Sequence, residues 1–316
     1  MKRFPLILLL LILAGAATMY LCGKPKPPAE PTRLTYQAIP DKFAAEFSGE
    51  NAFKHVKAIV DLGPRPPASE GYEKTLQYLE KDFAANGWTT VRQKFTRSTP
   101  KGPIDFTNLL ARHKSGEADW AKSTPVIIGG HLDSKKMDFE FVGANDGGSS
   151  TGVILEMARV LSADPASAAK VEFVLFDGEE ALLHTITPTD GLYGSKHYAR
   201  EMTKRHNWPA FGIVLDLVGD DDREFLYNPE TPASFAVAVE AAARESGMTK
   251  LRRSPSAILD DHVPLQEAGL PCLHIIGDFM NMPYWHEPGD TMEVIDADAL
   301  KKTGRTTLRF LAAVAQ

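Results

Sequence analysis

Acidic and histidine side chains recur in this sequence where apolar runs end. His131 and Asp133 follow PVIIGG, Asp146 sits in the glycine-rich GANDGG, and Glu179 and Glu180 follow VEFVLFDG. Asp216 closes AFGIVLD, Asp260, Asp261 and His262 come in succession, and His286 stands in WHEP. A single carboxylate after a strand is ordinarily a helix cap or a solvated charge, and a single histidine a satisfied structural residue. So many in one crevice would repel one another and raise their own pKa values unless a cation neutralised them. Histidine with carboxylate donors suits zinc, with one position left open for water or substrate in a catalytic site. Adjacent residues of an extended chain point to opposite sides, so Glu179 and Glu180 divide their duties: one binds metal and one faces substrate. Asp133, two residues beyond His131, is placed to hydrogen-bond its ring and fix the tautomer.

Those side chains need elements to carry them. ENAFKHVKAIVDLG and EGYEKTLQYLEKDFAANG space their apolar residues as helices do, with Tyr72, Leu76, Leu79 and Phe83 on one stripe, and each stops at a glycine. TTVRQKF and FTNLLARH read as strands, and STPVIIGGHLDS as a buried strand that delivers a polar loop. GANDGGSS then opens a helix, TGVILEMARVL. Beyond it come strand VEFVLF, helix LYGSKHYAREM, strands AFGIVLDLV and EFLYN, helix ASFAVAVEAAARES, strand CLHIIG and a closing helix from Ala297. The alternation predicts a mostly parallel sheet covered on both faces, with sites beyond the carboxyl ends of the strands.

The remainder of the sequence narrows the classes. The 316 residues carry a net charge of -6 and no Lys/Arg block in the folded part, so nucleic-acid binding has no electrostatic footprint. A hydrophobic share of 43% with 24% charged residues excludes wholesale disorder and a polytopic membrane protein. At the N-terminus, Lys2 and Arg3 precede an apolar run from Pro5 to Cys22, an export signal over residues 1–22 that is either cleaved near Ala14-Gly15-Ala16 or retained as a membrane anchor. Retention is the expectation. Lipid modification of Cys22 is a third route, disfavoured by the bulky Leu21 before it. KPKPPAEP opens a proline-rich linker over residues 23–40, which leaves 41–316 as a single catalytic domain, exported and either membrane-anchored or secreted into the periplasm or the extracellular space. Cys272 has no partner in that domain, and its apolar setting assigns it to the core.

Seven ordered stretches, GGHLDSK, GANDGGSSTGVILEMARVL, FDGEEA, DGLYGSKH, VLDLVG, DDHVPLQEAGLPCLHII and WH, together resemble the glutaminyl-peptide cyclotransferases and, more distantly, the zinc aminopeptidases that share their fold. The resemblance runs from Glu50 to the C-terminus. It implies an α/β protein of three α/β/α layers around a mostly parallel, mixed central sheet, the phosphorylase/hydrolase-like fold of the zinc aminopeptidases. It implies Asp146, Glu180 and His286 as zinc ligands and Glu179 as general acid/base. In the aminopeptidase branch His131 and Asp216 would hold a second zinc with Asp146 bridging, whereas the animal cyclases carry the matching residues and bind one ion. One zinc is expected here, with two as the alternative.

Other motifs lean towards the cyclases. The step from the Glu pair to LYGS, ALLHTITPTDGLYGSKH, is similar in length to theirs, and DDH followed by GLPCLH resembles the segment whose residues, matching Asp260 and His274 and joined by Asp216, line the site beside Glu179. Trp285 matches a pocket-wall tryptophan. Against this, Thr185 stands where the animal cyclases have tryptophan, EPGDT after His286 is closer to the aminopeptidases, and the paired cysteines of the cyclases are missing. The resemblance therefore implies conversion of the N-terminal Gln of peptides or proteins to pyroglutamate with release of ammonia, with Glu179, Asp216 and Asp260 catalytic. The alternative is hydrolysis of N-terminal residues, in which Glu179 would activate water, and a third reading is a non-catalytic ectodomain, against which the intact Glu179 and ligand set argue. Read without the resemblance, His274 is a core histidine and Asp261 a helix cap; His184 and His197 read as surface or packing residues.

Overall fold

Apolar alternation with a period of two divides most residues of the central strands between two cores. Val126 and Ile128, Phe173 and Leu175, Ile213 and Leu215, and Leu273 and Ile275 pack into the larger core. Their neighbours Ile127, Val174 and Phe176, Val214, and Cys272 pack into a smaller one. The strands are therefore apolar on both faces, as a sheet sandwiched between helices requires. Cys272 is fully buried, in keeping with its assignment to the core.

The computed structural model describes residues 32–220 and 222–314. The expected export segment at 1–22 and the first part of the expected linker lie outside the described residues. Among the described residues no helix is long and apolar enough to cross a membrane. Eight strands form the sheet: β1 (Trp88–Thr99), β2 (Gly102–His113), β3 (Val126–His131), β4 (Val171–Phe176), β5 (Phe211–Asp216), β6 (Phe225–Tyr227), β7 (Leu251–Arg253) and β8 (Cys272–Gly277). Their order is β1-β2-β4-β3-β5-β8-β6-β7. The central strands β4, β3, β5 and β8 are parallel. The antiparallel β1–β2 hairpin extends one side, and β8 pairs antiparallel with β6 on the other. This is the expected mixed, mostly parallel sheet between helical layers.

The helices are α1 (Lys42–Glu46), α2 (Gly49–Val60), α3 (Glu70–Ala85), α4 (Ser150–Ser162), α5 (Pro165–Ala168), α6 (Tyr193–Met202), α7 (Ala233–Glu245), α8 (His262–Glu267) and α9 (Ala297–Ala313). Side-chain caps start several of them: Ser48 accepts from Asn51 N, Ser69 from Tyr72 N and Asp296 from Asp298 N. Residues of α2, α3, α4, α7 and α9 join the larger core, whereas Tyr198 and Met202 of α6 and Leu265 of α8 join the smaller. Expected and observed elements agree along most of the chain. The exceptions are β7, the short α1 and α5, and a separate two-stranded pairing of Thr32–Arg33, within the expected linker, with Asn207–Trp208. The LRR of β7 is three residues on the sheet edge, too short and too polar to show a period.

Candidate active site

Because β3, β4 and β5 are parallel, His131, the segment after Phe176 and Asp216 emerge along one edge of the sheet. Asp146 joins them from the irregular turn Ala144–Ser149 that opens α4. That turn depends on Gly147: its φ is +78°, and a Cβ there would lie 2.9 Å from both the His131 ring and the Asp133 carbonyl. His286 completes the group in a left-handed conformation, φ +56°, and Leu217 just after Asp216 is left-handed too, at +52°. Such backbone costs about 1–3 kcal/mol per residue and is held only where surrounding packing fixes it.

Two ligand sets share Asp146. In the first, His286 Nε2 lies 3.1 Å from Glu180 Oε1 and 3.3 Å from Asp146 Oδ2. In the second, His131 Nε2 lies 3.1 Å from Asp146 Oδ1 and 3.1 Å from Asp216 Oδ1. Within each set the donor atoms all fall within 4.8 Å of one another. Asp146 Oδ2 is buried and accepts no well-aligned hydrogen bond, the state expected of an oxygen that belongs to a cation. Without one, the histidines take up the charge. Burial would lower the His286 pKa, but Asp146 and Glu180 raise it to about 10. His131, opposed in the same way by burial, is carried well above its ordinary value by Asp216, Asp133 and Asp146. Two carboxylates and one imidazole whose donor atoms lie this close together, one of them a buried oxygen, fit a divalent metal of the zinc type.

Glu179 stays out of both sets but lines the same cavity as Glu180, so the adjacent pair divides metal donor from cavity wall without facing fully opposite ways. Burial raises the Glu179 carboxyl well above its usual range, and Glu180, Asp260 and Asp261 add to the rise against His131. A cation at the neighbouring ligands would oppose that shift. Asp216 is likewise pushed up by burial, to about 6, against the pull of His131. Asp260 goes the other way: burial would raise it, but His274, whose Nε2 lies 2.7 Å from Oδ2, and His262 hold it at about 2.

His274 is thus no idle core residue. The parity that sends Cys272 into the smaller core sends His274 to the same face, where its ring stacks on His262 at 4.1 Å with planes 15° apart. Asp260, His262 and His274 bring donor atoms close enough to suggest another metal group. Nearly parallel stacked rings, however, direct their lone pairs along parallel lines that do not converge on one ion, so the stack braces His274 against Asp260 instead.

Two expectations need correction. The His131 ring meets the main-chain carbonyl of Asp133 through Nδ1 at 3.1 Å, with the carboxylate more distant at 3.6 Å. The carboxylate instead accepts the main-chain N–H groups of Glu179 and Glu180, at 3.1 and 3.3 Å, so Asp133 orients the Glu pair. Asp261 is fully buried and makes no side-chain cap to α8; burial and Asp260 raise its carboxyl well above the ordinary value. Of the remaining histidines, His197 packs on Phe95 as expected, whereas the exposed His184 stands on the cavity wall.

Several residues at the site carry no sequence-level signal. Arg65 is completely buried and donates to three carbonyls: Leu132 at 3.0 Å, Val142 at 2.6 Å and Gly143 at 3.0 Å. Asp290 accepts from Asn145 N at 2.7 Å and Asp146 N at 3.1 Å; burial, helped by the Asp146 charge, raises it to about 7. The turn carrying Asp146 is therefore clamped from both ends. Lys135 donates to Glu180 Oε2 at 3.1 Å and Ala181 O at 2.9 Å, which leaves the other oxygen of Glu180 towards His286. Motifs containing Lys135 and Asp290 are visible in the sequence, but nothing in them reveals these contacts.

All of this opens into a cavity of about 250 Å³. Asp146, Glu179, Glu180, Asp216, Asp260 and His286 form its charged floor, and Ile186, Leu217, Ile258, Ile276, Phe279 and Trp285 supply apolar wall. Trp285 stacks on the His286 ring at 4.3 Å and meets Phe279 at 4.9 Å with the ring planes tilted by 55°.

A three-layer sheet with a cation site at its carboxyl edge defines the class of metal-dependent enzymes of the aminopeptidase-like fold. More particularly, the chain belongs to peptidase family M28, whose family model matches residues 108–311. It is 29% identical over 283 residues to the mouse glutaminyl-peptide cyclotransferase-like protein, covering 78% of this chain and 71% of that one. The solved Acidobacteriales bacterium glutaminyl cyclase superposes with a TM-score of 0.74 at 27% identity, over 92% of this chain and 98% of that one. A Zn-dependent exopeptidase from Parabacteroides distasonis matches as well in shape, with a TM-score of 0.74 at 26% identity, over 85% of this chain and 99% of that one.

Proposed function

We propose that this protein is a zinc-dependent glutaminyl-peptide cyclotransferase, which converts the N-terminal Gln of peptides or proteins to pyroglutamate and releases ammonia. The observation that carries the reading is the grouping of Glu179, Asp216 and Asp260, none of them in the Asp146–Glu180–His286 set, around a small cavity with apolar walls. Relatives along most of the chain carry the same activity in their names.

The substrate brings its own nucleophile, so proximity is built in. Its α-amino nitrogen bonds to the side-chain carboxamide carbon, and Glu179 accepts the proton that the amine sheds. The bond from that carbon to the amide nitrogen then breaks, and Glu179 returns the proton to the departing nitrogen, which leaves as ammonia. No water is consumed. Asp216 and Asp260 hydrogen-bond the reacting nitrogens, with Asp260 held by His274, and Trp285 closes one wall. Zinc held by Asp146, Glu180 and His286 supplies Lewis acidity for the carboxamide oxygen when bound. We further assign residues 1–22 to export or membrane anchoring and the proline-rich stretch after them to a linker; Tyr36 and Ile39, within the expected 23–40 linker, already pack into the larger core, so the catalytic domain begins ahead of residue 41.

One observation favours a second reading, a zinc aminopeptidase: the His131–Asp146–Asp216 set is intact and shares Asp146 with the first, as a two-ion site requires. Purified zinc-loaded protein given a Gln-initiated peptide and a panel of amino-terminal amides separates the two. Pyroglutamyl peptide with an equal amount of ammonia supports the cyclase; free amino acid without pyroglutamate would sink it.

A further inference from the structure

A substrate whose first residue enters the cavity must leave through its mouth, because everything after that residue is still attached. The surroundings of the mouth are unusual for this chain. Three loops contribute to the cavity wall: residues 182–189 (LLHTITPT), 254–259 (SPSAIL) and 279–285 (FMNMPYW). None contains Asp, Glu, Lys or Arg, in a chain with 24% charged residues. Exposed large apolar side chains concentrate on the same loops. Among the described residues Leu183 is 52% exposed, Leu259 47% and Met280 75%. Leu259 is part of the wall, Leu183 directly precedes the wall residue His184, and Met280 directly follows the wall residue Phe279. Singly exposed apolar residues need no explanation, but three on the uncharged loops that contribute to one cavity form a surface prepared for an apolar partner.

We propose that Leu183, Leu259 and Met280 form a collar that binds the side chains of the second and third substrate residues, so that the enzyme selects peptides with apolar residues after the N-terminal Gln and disfavours charged ones. The assignment rests on the cyclotransferase reading. Two features favour substrate over any other occupant: Leu259 lines the cavity while Leu183 and Met280 each adjoin a residue that does, and the covalent connection of the peptide carries residues two and three out past those loops. Burying an apolar side chain there gains affinity, whereas a carboxylate or ammonium would be desolvated with no opposite charge on the three loops.

The test measures the pyroglutamyl product, distinguished from free Gln by mass spectrometry, formed from Gln-amide, which has no second residue, and from Gln-Xaa-Ala peptides with Xaa Leu, Phe, Asp or Lys, using the full zinc-loaded chain. We expect kcat/KM for Leu and Phe to exceed that for Asp and Lys by roughly tenfold or more. In the double variant Leu183→Ser/Met280→Ser, the ratio of Gln-Leu-Ala to Gln-amide should fall severalfold. The exposed Val237→Ser on α7, outside the collar, should leave that ratio unchanged. Equal kcat/KM for all four peptides, with Gln-amide still turned over, would overturn the collar alone and leave its apolar surface to another protein or a membrane. No pyroglutamyl product from Gln-amide or any peptide would overturn the activity and the collar together.

Discussion

Replacing Arg65 by methionine tests whether the metal site is built by geometry or by charge. Arg65 is fully buried, and its guanidinium remains cationic at neutral pH even though burial lowers its pKa to about 10. Methionine fills much of the same volume but donates nothing. Gly143 O keeps the N–H of Gly148 at 3.2 Å, so the Leu132 and Val142 carbonyls bear the loss. Each buried acceptor left unpaired costs about 1–3 kcal/mol, partly offset because a buried cation is no longer desolvated; a net loss near 3 kcal/mol is expected in urea unfolding. The effect on zinc separates two explanations of opposite sign. If Arg65 acted only as a nearby positive charge, its removal would tighten cation binding. If it holds the turn that presents Asp146, zinc affinity should fall by roughly 10- to 100-fold. Competition with a chromophoric chelator measures this without any assay of activity. Arg65→Lys keeps the charge but not the three-pronged donor geometry, so it should follow methionine in zinc affinity. Zinc binding unchanged or tighter in both variants would refute the reasoning.

Further expectations concern the ligands and their neighbours. Glu179→Gln should retain zinc at wild-type stoichiometry while turnover falls about a hundred- to ten-thousandfold; lost zinc with unchanged turnover would contradict its role as proton carrier. His286→Ala removes the only imidazole of the first ligand set, so zinc should no longer raise its melting temperature, whereas in the wild type zinc at a hundredfold excess over Kd stabilises by about 2.7 kcal/mol. Asp290 bears on pH. Its carboxyl is raised from 3.8 to about 7, so its contribution to metal-free stability is complete below 3.8 and is lost as pH rises through about 7. The loss is roughly 4 kcal/mol at most, and Asp290→Asn should remove that share of the slope in urea unfolding followed across the interval.

The parts of the fold that were legible in the sequence have long, strong patterns. CLHIIG and VEFVLF coincide with β8 and β4 because a strand buried on both faces is a mostly apolar run bounded by polar residues, here broken only by His274 and Glu172. His131, the Glu179–Glu180 pair and Asp216 could be singled out because they follow such runs, whereas the choice of Asp146, Glu180 and His286 as the ligand set came from the resemblance of the motifs around them. What escaped is the support around them. Arg65 sits in GPRPP, where arginine is ordinarily solvent-exposed, and its burial follows only from the approach of the Asp146 turn, which is remote in sequence. The His262–His274 stack joins a helix to a strand, and the transfer of the Asp133 carboxylate from the His131 ring to the Glu179 and Glu180 amides depends on loop geometry that no residue spacing encodes.

The central claim is that the attacking group belongs to the substrate itself. Turnover of a Gln-initiated peptide in isotopically labelled water, followed by mass spectrometry, tests it directly. Cyclisation forms a carbon–nitrogen bond without consuming water, so the expected product is pyroglutamyl peptide carrying no solvent oxygen. Free Gln bearing a labelled carboxylate oxygen, released alongside the shortened peptide, would contradict the account and assign the same residues to hydrolysis.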